Sequence, residues 1–297
     1  MTSDTKLNSG VFYALGAFCL WGLFPIYFKA VGTVSPVEVL AHRVIWSFLF
    51  LLLLITFNKQ WPALKALLAN RKAISRLFVT AVLISINWLV FIWAVGAGRI
   101  IETSLGYYIN PLISVLAAML FLGERLRPIQ WIAIIIALLG VINQVVLVGS
   151  LPIVALALAL SFCFYGLLRK KINMNPVIGL TIETSLLLPF ALFYLLWLAH
   201  QDTLTFLHHG IGMDLLLMSA GLITSLPLIL FASAANRLTL TSLGIVQYIT
   251  PSISFILAIF VFNEAFELPQ LITFGCIWCA LILFTAEGIH YQHRRLA

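Results

Sequence analysis

The 297-residue chain is 62% hydrophobic and 9% charged, with a mean hydropathy of +1.09, whereas an average soluble domain carries roughly 25% charged residues. That composition excludes a water-soluble globular protein, and the apolar runs are continuous rather than alternating, which excludes the strands of a membrane barrel. The net charge of +7 would raise nucleic acid as a partner in a soluble chain, but here the charges sit between apolar runs, where they face membrane surfaces.

A helix that crosses the hydrocarbon layer needs roughly 20 mostly apolar residues. The runs predict spans at 10–31, 37–57, 74–97, 101–121, 129–147, 151–169, 176–197, 214–235, 241–262 and 268–286. The first follows Lys6, as a signal peptide would follow a basic residue. Its length, Pro25, Lys29 and the lack of a small-x-small cleavage pattern mark it as a retained helix. Cys19, Cys163, Cys276 and Cys279 all fall within spans. Cys276 and Cys279 form a C-x-x-C, but with no electropositive neighbour to favour a thiolate they read as small packing residues. His208, His209 and Asp202 lie in a loop without metal-ligand spacing. No metal or cofactor is expected.

The basic residues fall unequally on the two faces. Apart from Arg43, inside the second span, one face collects Lys6, Lys59, Lys65, Arg71, Lys72, Arg76, Arg125, Arg127, Arg169, Lys170, Lys171, Arg237, Arg294 and Arg295; the other has Lys29 and Arg99. Because Lys and Arg are retained in the cytoplasm, this distribution places both termini inside and requires an even number of crossings.

The chain is also doubled. Residues 93–106, WAVGAGRIIETSLG, match 231–244, FASAANRLTLTSLG, with the shared core A-x-x-A-x-R-x-x-x-T-S-L-G. Beyond it Tyr108-Ile109-Asn110-Pro111 aligns with Tyr248-Ile249-Thr250-Pro251, Ser114 with Ser254, Glu124 with Glu264 and Gln130 with Gln270. The starts agree too: Phe18-Cys19-Leu20-Trp21-Gly22 resembles Phe162-Cys163-Phe164-Tyr165-Gly166, and Pro36-Val37 resembles Pro176-Val177. Five spans per half is an odd number, so the halves must lie upside down relative to each other. Arg99 then falls on the outer face and Arg237 on the inner, and Glu124 on the inner with Glu264 on the outer. The expected fold is an all-α integral membrane protein of ten transmembrane helices, arranged as two inverted five-helix repeats, 10–147 and 151–286, around a central cavity. Inverted repeats recur in secondary transporters because two such halves offer one conformation open to each side.

The repeat motif, L-G-Y-Y-I-N-P-L at 105–112, F-L-G-E-R at 121–125, W-G-x-x-P at 21–25 and H-R-V-I-W-S at 42–47 together resemble the EamA group of the drug/metabolite transporter superfamily. More narrowly they resemble its RarD branch, whose members are called chloramphenicol-sensitivity proteins. The resemblance covers essentially the whole chain. It implies a multi-pass protein of the bacterial inner membrane with cytoplasmic termini that exports a small organic metabolite or drug-like solute. It implies no particular substrate.

Ionisable residues within spans are functional candidates because lipid makes them costly. Arg43 and Glu183 stand out at equivalent repeat positions, each roughly 10 Å into its helix at about 1.5 Å per residue. Their helices start from opposite faces, so in a core roughly 30 Å thick they sit at different depths, and a direct pair is not expected. Two readings remain. Both face a hydrated cavity, Arg43 as the charge for an anionic solute group and Glu183 as a cation partner or proton carrier; or each pairs locally, Arg43 with Glu102 and Glu183 with Arg237. His42 points to another side of its helix and is a weaker candidate.

Prolines within spans expose the carbonyl four residues earlier: Pro25 frees Trp21, Pro111 frees Tyr107 and Pro251 frees Gln247. The side chains around them, Trp21, Tyr107, Tyr108, Asn110, Gln247 and Tyr248, offer aromatic faces with hydrogen-bonding tips and are expected to line the solute path, with Asn87, Trp88 and Tyr165 added. Trp61, Trp131 and Trp197, near span ends or in loops, read as interfacial anchors. The leading expectation is a secondary transporter without an ATP-binding motif, with a proton as the candidate coupling ion and the oligomeric state open. The alternatives are an integral membrane enzyme acting on a lipid or isoprenoid, which lacks clustered acids or an H-E-x-x-H, and a passive channel, which would need rings of charge.

Overall fold

Backbone groups in lipid must be satisfied within their own segment, and the chain meets this with helices throughout. A computed structural model describes residues 3–97, 100–149, 153–263 and 268–296. In chain order the helices are α1 (Ser3–Gly22), α2 (Phe24–Ala30), α3 (Pro36–Phe57), α4 (Trp61–Leu68), α5 (Arg71–Gly96), α6 (Ile100–Leu122), α7 (Pro128–Val148), α8 (Ile153–Ile172), α9 (Pro176–His200), α10 (Ile211–Ala235), α11 (Leu240–Val246), α12 (Ile249–Phe260) and α13 (Leu268–Leu296). Among the described residues ten segments are long and apolar enough to cross a membrane, from Asn8–Ala30 to Gln270–Gly288, and each boundary lies within three residues of its sequence expectation. The protein is an all-α, multi-pass membrane protein. Arg99 and Glu264 lie outside the described residues, as do the side chains of Lys6, Glu102, Arg294 and Arg295.

Local sequence sets the helix starts. α3, α7 and α9 carry proline in their first turn, where the missing N–H would have had no partner and the fixed φ suits a helix. Asn175 caps α9 by accepting from Val177 N at 3.0 Å and Ile178 N at 3.3 Å. The three expected weak points behave differently. The first span breaks at Leu23, before Pro25, and the ninth at Gln247–Tyr248, before Pro251, whereas α6 runs unbroken through Pro111. Pro189 and Pro227 also lie inside continuous helices. The short helix α4, outside the spans, was not expected; Trp61 Nε1 donates to Thr56 Oγ1 at 3.1 Å and ties it to the end of α3.

The helices pack as α3 with α9 and α10, α1 with α10 and α12, α5 with α8 and α9, α6 with α8 and α11, and α7 with α13. Arg127, at the N-cap of α7, bonds Glu287 through Nη2 at 2.5 Å and stands 4.1 Å from the Tyr291 ring, fastening α7 to α13. Cys163 is buried, and Cys276 packs against α7, where a Cβ at Gly140 would stand 2.9 Å from its own. Glycine allows closest approach between α3 and α10. A Cβ at Gly221 would lie 2.3 Å from the carbonyl carbon of Trp46, and Ser47 Oγ donates to Gly221 O at 3.2 Å across the same contact.

Gly221→Ala should therefore force α10 away from α3 and destabilise the bundle by about 1–3 kcal/mol, the usual cost of overpacking, read as a lower thermal midpoint in detergent. Gly275→Ala, where an added Cβ meets nothing within 4 Å, should leave the midpoint unchanged or raise it.

Candidate functional site

The two intramembrane ionisable residues occupy separate environments. Arg43, seven residues into α3, donates from Nε to Thr224 Oγ1 of α10 at 2.8 Å. Its guanidinium carbon lies 5.1 Å from the Trp88 ring and 5.9 Å from the Phe28 ring, distances at which an aromatic face attracts a cation. The phenols of Tyr27 and Tyr107 lie within its electrostatic reach. Tyr27 is anchored by its hydroxyl to Leu216 O at 3.2 Å. Tyr107 is 43% exposed. No described carboxylate pairs with Arg43.

Glu183 is enclosed instead, at 1% exposure. It accepts from Thr80 Oγ1 at 2.5 Å and from Tyr165 OH at 3.4 Å, and the Arg169 guanidinium stands 3.5 Å away. The expected local partner, Arg237, is elsewhere: it donates to Ser233 O at 2.8 Å and lies over the Tyr13 ring. Sequence reasoning placed Arg169 with the surface charges because it opens the run Arg169-Lys170-Lys171. One signal pointed inward. Tyr165 and Arg169 share a face one turn apart on α8, as Gly179 and Glu183 do on α9. Gly179 is what lets the guanidinium in, since a Cβ there would lie 2.2 Å from Arg169 Nη1.

The remaining candidates divide into three places. Trp21 and Tyr165, repeat mates, meet in one aromatic cluster with Phe18, Phe162 and Phe231: Trp21 is 5.6 Å from Phe162 and 5.7 Å from Phe231, and Tyr165 stacks on Phe231 at 6.2 Å. Gln247 lies beside this cluster on a cavity of about 10 Å³ shared with Ser114 and Cys163, room for a single water. Tyr108, Asn110 and Tyr248 are buried in the seam between the halves, where Tyr248 OH donates to Tyr108 O at 3.1 Å and Ser114 Oγ donates to Asn110 Oδ1 at 3.3 Å. Asn87 binds α5 to α8, donating to Leu158 O at 2.9 Å and Ser161 Oγ at 3.0 Å. The structure thus brings Arg43, Trp88 and Tyr107 together and puts the others in packed interiors.

The ends of the bundle differ. At the basic face Glu124 accepts from Leu240 N at 2.7 Å and Thr241 N at 2.9 Å, joining the first half to the start of α11. Lys170 Nζ donates to Ala235 O at 3.2 Å and to Leu238 O, and Asn236 Nδ2 to Met174 O at 2.9 Å. At the other face Glu38, buried at 1%, holds the 203–210 loop by accepting from Thr205 N at 2.8 Å, Thr205 Oγ1 at 2.9 Å and Phe206 N at 3.3 Å. Neither carboxylate was picked out as a binding group from sequence, because each sits near a span end, where a charge ordinarily faces water. His42 stacks near Phe206, at 4.9 Å, and accepts from Trp46 Nε1 at 3.2 Å, away from Arg43.

Residues 8–144 match the family model described as the EamA-like transporter family. A Vibrio cholerae protein named as an uncharacterized transporter is 48% identical over 99% of this chain and 97% of its own length. Protein RarD of Salmonella typhimurium is 46% identical over 98% of this chain and 99% of its own. A crystal structure that is 17% identical shares the fold, with a TM-score of 0.72 over 95% of this chain and 98% of that one.

Gly179→Ala should expel the Arg169 guanidinium and leave the Glu183 carboxylate buried without its cation, a loss of about 3–5 kcal/mol, measured as thermal stability in detergent. Adding Glu183→Gln should recover part of that loss. Additive losses in the double variant would mean that the two residues do not act through Arg169.

Proposed function

Because the chain belongs to the EamA-like transporter family and within it groups with the RarD proteins, we propose that this membrane transporter exports a small organic solute by alternating access between two inverted five-helix halves. The observation that carries the reading is the pattern of helix contacts between the halves. Both faces are fastened across the halves, the basic one by Glu124 and the opposite one by Glu38 and Tyr27. In this reading the basic face lies in the cytoplasm of a bacterial inner membrane. The packing supports two exchangeable halves: swapping them converts α5–α8 into α10–α1, α6–α8 into α12–α1 and α3–α10 into α9–α5, and all of these pairs are in contact.

In this reading the solute enters between the halves near the aromatic cluster of Trp21, Phe162, Tyr165 and Phe231 and leaves past Trp88 and Tyr107. Glu183 serves as the proton carrier, and the Thr80 and Tyr165 hydroxyls with Arg169 hold its carboxylate when it is charged. Export is the direction that the family resemblance supplies.

A bacterial strain lacking its own copy, expressing this chain or an empty vector, tests the proposal by the small metabolites found inside and outside the cells. At least one solute should accumulate in the medium only with the intact protein. Glu183→Gln, inserted at the same level, should abolish the dependence of that export on a proton gradient. Identical profiles for intact protein and empty vector would overturn the reading, and unchanged gradient dependence in the variant would remove the proton role.

A further inference from the structure

Among the described residues the terminal donors of Arg43 have no protein partner and keep accessible surface. An arginine side chain carries five N–H donors, and the bond to Thr224 uses the one on Nε. The two terminal nitrogens make no described bond to protein. The contrast with Arg169 is direct: its terminal nitrogens go to Glu183 and to Pro176 O. A cation at membrane depth is costly, so it needs either water or an anion.

The surroundings fit an anion with an apolar body. Trp88 and Phe28 turn ring faces toward the guanidinium, and Thr224 fixes its plane by holding Nε. Tyr107, 43% exposed, lies within electrostatic reach of the guanidinium. A planar fork of N–H groups matches a carboxylate with two parallel bonds. One guanidinium balances one negative charge, which suits a carboxylate better than a phosphate monoester, whose charge near neutral pH is about −1.5 to −2. We propose that Arg43 is the seat for the carboxylate of an organic acid whose flat or flexible apolar body lies against Trp88, Phe28 and Tyr107.

The assignment rests on the transporter reading, which it makes specific by naming the substrate class, but its test requires no transport. The purified protein in phosphatidylcholine nanodiscs is melted with benzoate, phenylacetate or hexanoate, with the corresponding neutral amides, and with inorganic phosphate. Ligand that binds only the folded state raises the midpoint as its concentration passes the dissociation constant. At least one acid should give a saturable rise and bind about tenfold more tightly than its amide, the lower range for losing a charge-assisted pair of bonds. Arg43→Gln should lose the discrimination between acid and amide, and Arg43→Lys, which keeps the charge without the fork, should restore only part of it. Equal responses to acids and amides, no response to any acid, or saturation by phosphate in place of the acids would overturn the assignment. If Arg43→Gln does not insert, the acid-against-amide comparison on the intact protein still decides. Failure here, with solute still accumulating outside cells that express the intact chain, would remove the carboxylate seat and leave the transporter reading in place.

Discussion

A charge inside a lipid-embedded bundle must be met, and the two charges at equivalent repeat positions are met in opposite ways. Glu183 is enclosed by a hydroxyl, a phenol and a guanidinium that all come from the protein. Among the described residues Arg43 receives one hydroxyl and two aromatic faces, and its terminal donors have no protein partner. The first arrangement is closed and holds helices together. The second is incomplete as a structure, and incompleteness at membrane depth is tolerated where water or a ligand finishes it. Around this difference the helices are arranged, with glycines at 179 and 221 permitting the close approaches that bring Arg169 and Thr224 within reach.

The two similar halves of the chain do not look alike. The aligned stretches around Pro111 and Pro251 have nearly the same sequence, yet α6 continues through the first while the chain breaks between α11 and α12 before the second. Near the break Tyr248 donates to the backbone of its repeat mate Tyr108, and the Tyr248 carbonyl receives the Ser252 hydroxyl at 2.7 Å. The second copy carries two extra residues between its T-S-L-G and Tyr248, and the chain breaks at that point. At the basic face, Glu124 reaches across the halves to two backbone N–H groups at the first turn of α11, where a negative charge is favoured by the helix dipole.

Much of the fold was legible because lipid imposes strong rules. Continuous apolar runs gave the spans to within three residues, and Pro36 and Pro176 marked the starts of two repeat-related helices. The repeat also identified Trp21 and Tyr165 as equivalent, and they meet in one cluster. The site was less legible, since residue type does not say which way a side chain points from a span end. Arg169 looked like a surface charge and turns inward; Glu38 and Glu124, neither of them a candidate from sequence, bind backbone. Tyr108 and Tyr248 looked like cavity residues because they flank prolines, but both are buried and the Tyr248 phenol donates to the Tyr108 carbonyl. Periodicity fixes a face of a helix, and the distance to the neighbouring helix decides whether that face is closed or open.

The account stands on access that alternates between the two faces, and a pair of cysteine labelling measurements tests it most directly. In a background without the four native cysteines, Tyr107→Cys should react with a membrane-impermeant maleimide from outside intact cells, and Gln247→Cys should not. Adding Glu124→Gln, which weakens the fastening at the basic face, should lower the outside reaction of Tyr107→Cys and make Gln247→Cys reactive from the cytoplasmic side of inverted vesicles. If Glu124→Gln leaves both reactivities unchanged, or opens the cytoplasmic side without closing the outer one, the two ends are not coupled and alternating access is contradicted.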